Sequence, residues 1–232
     1  MGPPPDILSY VLWNLGYSLC HQIPERSFFI DGYQLPMCAR DTGTFIGFLI
    51  VFLYGILRKR YLYSALPDRY SIAATIIGFI LYVFDGLSSY VGIRDTTNAF
   101  RLTTGLMLGA GIGFFSITLF SFILLNRRTK ERAFTWSDIP VVYPVLLLAG
   151  LFIYFINKWL VFYYVVSTAM IVGYLLLFFI MINVVIAIFR DRNYTVVRDR
   201  WQLVVTSLLA EAGLIAFLWL VHRWTSALVP LH

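Results

Sequence analysis

The chain has 232 residues, of which 59% are hydrophobic and only 13% charged. Soluble domains carry about twice that share of charge, so a globule of this length could not be covered with polar surface; a soluble enzyme, a disordered chain and a disulfide-framework miniprotein are excluded. The net charge of +6 comes without a basic-aromatic stripe or recognition motif, which argues against a nucleic-acid partner.

In chain order, the first apolar stretch is residues 7–20, short and interrupted by Asn14 and Gly16. It suits either an interfacial helix or a short span. Residues 44–57 form a compact apolar run that Asp41-Thr42-Gly43 can open and Arg58-Lys59-Arg60 closes. The runs 72–92, 102–125, 139–156, 160–188 and 201–221 meet or approach the ~20 residues that cross a bilayer core. With no basic n-region and cleavage site, no removable signal peptide is expected. The expected fold is all-α, a polytopic integral membrane helix bundle of six or seven transmembrane helices. It forms a single membrane domain, 1–232, with a loop segment at 21–43, three spans in 44–125 carrying the polar site, and three more in 139–222.

Orientation follows from Lys and Arg. Arg58, Lys59, Arg60 and Arg69 lie in one loop, Arg127, Arg128, Lys130 and Arg132 in the next but one, and Arg190, Arg192, Arg198 and Arg200 in a third. The alternate loops hold only Arg26, Arg40, Arg94, Arg101, Lys158 and Arg223. The positive-inside rule then expects the first set in the cytoplasm and residues 21–43, the loop 94–101 and the C-terminus on the outer face. Gly43 and Gly47, and Gly105, Gly109 and Gly113, recur at four-residue spacing, a pattern that lets membrane helices approach closely. Trp159 and Trp201 sit at span ends, where an aromatic belt is expected.

The chemistry concentrates in Cys20-His21-Gln22-Ile23-Pro24-Glu25-Arg26-Ser27 and Pro36-Met37-Cys38-Ala39-Arg40-Asp41-Thr42-Gly43, which hold both cysteines of the chain. Cys20, His21, Cys38 and Asp41 offer two thiolates, an imidazole and a carboxylate, a set that suits zinc or iron. The adjacency of Cys20 and His21 is awkward, because consecutive side chains diverge unless the backbone bends. The competing reading is a Cys20–Cys38 disulfide, whose loop closure is worth about 3 kcal/mol; both stay open. Glu25 and Asp41 are candidate general bases or acids.

Asp85 lies inside a span, where an isolated carboxylate is a functional hypothesis with a partner. Arg101 at the start of the next span is the natural partner, and Arg40 the alternative; the pair is either a helix clamp or a catalytic or transport group. Thr96-Thr97-Asn98 reads as a helix start, so that Arg26, Arg40, Asn98 and Arg101, with Arg94 nearby, make a candidate anion site for a phosphate or carboxylate. Glu211, mid-span, is a proton-relay candidate with Asn183 or Ser207 as partner.

Cys20, His21, Gln22, Glu25, Arg26, Ser27, Cys38, Arg40 and Gly43, followed by Asp85-Gly86, Asn98, Arg101, Thr104 and Gly105, resemble a bacterial and archaeal family of multi-pass membrane proteins grouped as a domain of unknown function. The resemblance covers roughly residues 15–115. It implies a Cys-His-Gln element followed by Cys-x-Arg-Cys-x-Gly, with a cysteine where this chain has Asp41, and the cell membrane of a prokaryote as location. It favours the metal reading, while Asp41 hardens the ligand set and removes the thiol that a C-x-x-C redox pair would use. The functional expectation is a metal-organised site on the outer face that binds or acts on a small anion or lipid headgroup. Glu25 and Asp85 are its catalytic candidates, and membrane lipid is its surrounding partner. A secondary transporter of a small anion or metal ion, and an accessory subunit of a larger membrane complex, are the alternatives; no motif decides whether the chain is an enzyme.

Overall fold

The computed structural model describes residues 2–123, 125, 127–156, 158–189 and 197–228. Among them are seven α-helices: α1 (Ile7–Tyr17), α2 (Ala39–Leu57), α3 (Arg69–Tyr90), α4 (Asn98–Ile123), α5 (Ile139–Phe155), α6 (Leu160–Phe189) and α7 (Val197–Leu228). Six segments among the described residues are long and apolar enough to cross a membrane, in α2, α3, α4, α6 and α7 and in α5 together with the short turn Trp136–Asp138 before it. α1 has 11 residues, about 16 Å at the helical rise, and so is too short for a core of about 30 Å. It lies against α6 and α7. The chain is thus an all-α, polytopic membrane bundle. Arg190 and Arg192 of the third basic loop lie outside the described residues.

Hydropathy located the spans, and the Thr96-Thr97-Asn98 signal located the start of α4, but α2 and α3 begin ahead of their apolar runs. α2 begins at Ala39 rather than residue 44, which puts Arg40 and Asp41 in its first turn. α3 begins at Arg69 because the Asp68 side chain accepts the Ser71 N–H as an N-cap. α4 begins at Asn98, where the Thr97 hydroxyl accepts the Phe100 N–H. At the starts of α3 and α4 a capping oxygen satisfies an otherwise orphan helical donor, which apolar counting does not see.

α2 and α4 make the most extensive helix contact in the molecule, and glycine makes it possible. A Cβ on Gly43 would strike the Leu102 carbonyl oxygen, and one on Gly105 the Arg40 carbonyl. One turn deeper, a Cβ on Gly47 would come within 2.5 Å of the Leu106 carbonyl oxygen, and one on Gly109 would strike that of Thr44. The two small-residue rows therefore interlock reciprocally, backbone on backbone. Gly173 brings α6 onto Phe45 of α2, and Gly78 brings α3 onto Met107 of α4.

The basic end of the bundle is closed by two buried carboxylates. Asp138 accepts from Tyr54 (2.7 Å), Arg60 (2.5 Å) and the Thr135 N–H (2.9 Å). Asp68 accepts the Trp136 N–H at 2.6 Å. Burial pushes the Asp68 carboxyl up, but the hydrogen bonds from Ser71 and Trp136 outweigh it and hold it below its ordinary value. At the other end the chain between α1 and α2 makes a small hairpin, β1 (Phe29–Ile30) with β2 (Tyr33–Gln34). Its Asp31-Gly32 turn has φ of 54° and 80°, the left-handed pair that a two-residue hairpin needs.

If the α2–α4 contact is the frame, Gly109→Leu must force backbones apart. Overpacking costs about 1–3 kcal/mol in soluble cores, and a clash with a backbone carbonyl falls at the upper end. Thermal unfolding in detergent should show a lowered midpoint for Gly109→Leu. Gly213→Ala, where a Cβ meets nothing within 4 Å, should unfold like the parent chain.

Candidate functional site

Cys38 is the residue just before α2, and Asp41 follows three residues later, so both side chains emerge on one face of the first turn. The Cys38 thiol donates to Asp41 Oδ2 at 3.1 Å. Cys20 arrives from the other arm: its N–H bonds the Gly16 carbonyl at the end of α1, and its Sγ accepts the Cys38 N–H at 3.1 Å. One ligand atom from each of Cys20, Cys38 and Asp41 lies within 4.8 Å of the other two. Both cysteines are free thiols. The hydrogen bond with the Cys38 thiol, and then burial, push the Cys20 thiol well above its ordinary value.

This arrangement is held by two glutamines. Gln22, at φ 53°, donates to the carbonyls of Trp13 (2.8 Å) and Pro36 (2.9 Å). Gln34 donates to the Gln22 carbonyl (2.7 Å) and the Ser27 hydroxyl (3.1 Å). Neither Gln34 nor the Asp-Gly turn figured among the sequence candidates, although Asp31-Gly32 is a readable hairpin signal.

His21 does not join the cluster. It is exposed, and its ring faces His222 of α7 with centroids 4.1 Å apart; as consecutive residues, Cys20 turns inward and His21 away. Glu25 is also exposed, on the short turn Pro24–Arg26, and only its carbonyl is engaged, by Asn98.

Asp85, fully buried, sits five residues before the end of α3, about 8 Å along the helix. Its principal partner is Arg40, not Arg101: Arg40 Nη2 and Nε donate to Oδ2 at 2.6 and 3.0 Å. Arg94 reaches Oδ1 at 3.4 Å, and the Thr104 hydroxyl reaches Oδ2 at 3.5 Å. Arg94 is flanked by the rings of Phe84 and Phe100. Arg101, nearly buried, points elsewhere, donating to Asn98 Oδ1 at 3.1 Å and the Ser89 hydroxyl at 3.2 Å. The Asn98 amide in turn donates to the carbonyls of Glu25 (3.3 Å) and Ser27 (3.1 Å), so it ties the loop to α4 rather than facing a ligand.

The first turn of α2 thus joins two half-sites: Asp41 faces the cysteines and Arg40 faces Asp85. Chemically, one half offers two soft donors and one hard donor. The other offers a carboxylate shared by two guanidinium groups, with Arg101 beside it carrying no ion pair among the described residues.

The bundle defines a polytopic membrane protein, with this polar cluster at one end. Residues 20–115 match the family described as predicted membrane protein (DUF2085). The chain is 32% identical over 109 residues to an uncharacterized protein of Methanothermobacter thermautotrophicus, covering 46% of this chain and 91% of the relative. It is 31% identical over 126 residues to uncharacterized protein MJ1492 of Methanocaldococcus jannaschii, covering 54% of this chain and 76% of that one. The chain belongs to this DUF2085 family of membrane proteins. No solved structure matches it. Every residue of both half-sites falls inside the matched segment, whereas α5, α6 and α7 lie beyond it.

Because Asp85 holds two arginines, its neutralisation should be severe. Removing one member of a buried charge pair costs about 3–5 kcal/mol, so Asp85→Asn should lower the unfolding midpoint far more than Arg94→Gln, whose side chain is 39% exposed. Thermal unfolding of the two variants in the same detergent checks the order.

Proposed function

We propose that this chain binds a divalent metal, zinc or iron, through Cys20, Cys38 and Asp41, and uses the neighbouring arginines to hold an anionic group at the membrane surface. The observation that carries the reading is the convergence of two free thiols and a carboxylate from separate arms of the chain. Three protein donors leave a coordination position open, the pattern of reactive rather than purely structural zinc sites. A metal there would act as a Lewis acid on the bound group.

The chain's own residues supply the rest. The Cys38 N–H directed at Cys20 Sγ stabilises negative charge on that sulfur. The hydrogen bond between Cys38 and Asp41 prepares both ligands on one side. Arg101 and the exposed Arg26 are left to attract the anion, since Arg40 and Arg94 are already bound to Asp85. Asp85 acts as a positioning group, fixing Arg40 and with it the first turn that carries Asp41. The anion is a phosphate or carboxylate, free or borne on a lipid headgroup. The loop charges support an orientation with residues 21–43 on the outer face of a prokaryotic cell membrane, because the basic loops around 58–69 and 127–132 lie together at the opposite end.

Elemental analysis after dialysis against zinc should find about one zinc per chain, lost in Cys38→Ala. Asp41→Cys, which supplies a third thiolate, should hold zinc more tightly against a chelator. A chain that retains no zinc, or whose cysteines resist thiol trapping because they are joined as a disulfide, contradicts the reading.

A further inference from the structure

Beyond the family-matched segment, α6 and α7 carry buried polar side chains that the metal and anion half-sites do not use. On α6 these are Tyr163, Ser167, Tyr174 and Asn183, all fully buried. Tyr163 and Asn183 are 20 residues apart in the one helix, about 30 Å, the thickness of a bilayer core. α7 adds Ser207, fully buried, and Glu211, 6% exposed, while Leu208, Leu209, Phe217 and Leu220 of the same helix are exposed. The carboxyl of Glu211 is therefore turned inward from a helix that otherwise shows apolar side chains to lipid.

A carboxyl at this depth is expensive and calls for a partner. Neither candidate from the sequence provides one. Ser207 donates to the Leu203 carbonyl at 2.8 Å and the Asn183 amide to the Phe179 carbonyl at 2.7 Å. Among the described residues, Glu211 Oε1 and Asn183 Oδ1 are buried without a hydrogen bond. The Tyr174 hydroxyl of α6, also in a fully buried side chain, lies 3.0 Å from the Ser18 hydroxyl just beyond the end of α1. Buried polar atoms without a protein partner are where ordered water sits, provided several polar groups converge. Here four side chains along α6 and α7, Tyr163, Ser167, Asn183 and Glu211, each carry a buried polar atom with no hydrogen bond among the described residues.

We infer that the buried polar stripe of α6 and α7 is a hydrated proton pathway, with Glu211 as its exchanging carboxyl. A proton taken from water on one side converts the Glu211 carboxylate to the acid, and its release to water on the other side restores the carboxylate. No other bond changes and no further reactant is needed. Tyr174 and Ser18 supply hydroxyls from Glu211 toward the end of the bundle that holds the cysteines. Ser207 and Asn183 line the route toward the opposite end. This inference stands on residues separate from the metal site and does not depend on it.

The test is proton flux into liposomes holding the full chain and a trapped pH-sensitive dye, driven by a potassium diffusion potential. Vesicles with the parent chain should change internal pH faster than protein-free vesicles. Glu211→Gln should fall to the protein-free rate, whereas Glu211→Asp, which keeps the carboxyl, should retain flux. Each variant is first required to elute as a single folded species. Parent vesicles no faster than protein-free ones, or a Glu211→Gln chain as fast as the parent, would overturn the inference.

Discussion

Two helix backbones in direct contact set the geometry of everything else. With Gly43 and Gly47 on α2 facing Gly105 and Gly109 on α4, the Arg40 carbonyl rests against α4, and the Arg40 side chain reaches across to α3. Asp85 waits there, and Thr104 from α4 completes its shell. In a membrane, where apolar burial does little to bring helices together, such close packing and buried polar contacts are the main cohesive terms. The same contact fixes the first turn of α2, and with it the direction in which Cys38 and Asp41 project.

The two ends of the bundle use buried carboxylates differently. At the basic end, Asp68 and Asp138 fasten short loops to helix starts through backbone N–H groups, Tyr54 and Arg60. These bonds tie together segments 68 to 84 residues apart in the chain and are consistent with a purely structural role. At the other end Asp85 is outnumbered by Arg40 and Arg94, and Arg101 stands beside them without a carboxylate of its own among the described residues. A surplus of buried or half-buried guanidinium groups is costly unless an anion joins them. That asymmetry, rather than burial itself, separates the candidate site from the structural clamps.

Much of this was legible in the residues, but unevenly. The six spans follow from apolar length, and the α2–α4 contact from two rows of glycine at four-residue spacing. The Cys38–Asp41 face follows from helical periodicity. What periodicity along one chain cannot convey is which side of one helix faces which side of another. Arg101 is nearer to Asp85 in sequence than Arg40 is, yet the rotation of α4 turns Arg101 toward Asn98 and Ser89. His21 was grouped with Cys20 because they are neighbours; the bend at Gln22 and the ring of His222 carry it away. The hairpin at Asp31-Gly32 had a clear turn signal. Of the two glutamines that brace the cysteines, Gln22 stood in the Cys-His-Gln element, whereas Gln34 had no signal, since its partners are the Gln22 carbonyl and the Ser27 hydroxyl.

The account turns on whether two sulfurs and an oxygen converge on one metal. X-ray absorption at the zinc edge of the zinc-loaded protein in lipid reads that directly. The account predicts sulfur scatterers at about 2.3 Å together with oxygen or nitrogen scatterers at about 2.0 Å, with the sulfur contribution halved in Cys38→Ala if any zinc remains. A first shell made only of light atoms would contradict it.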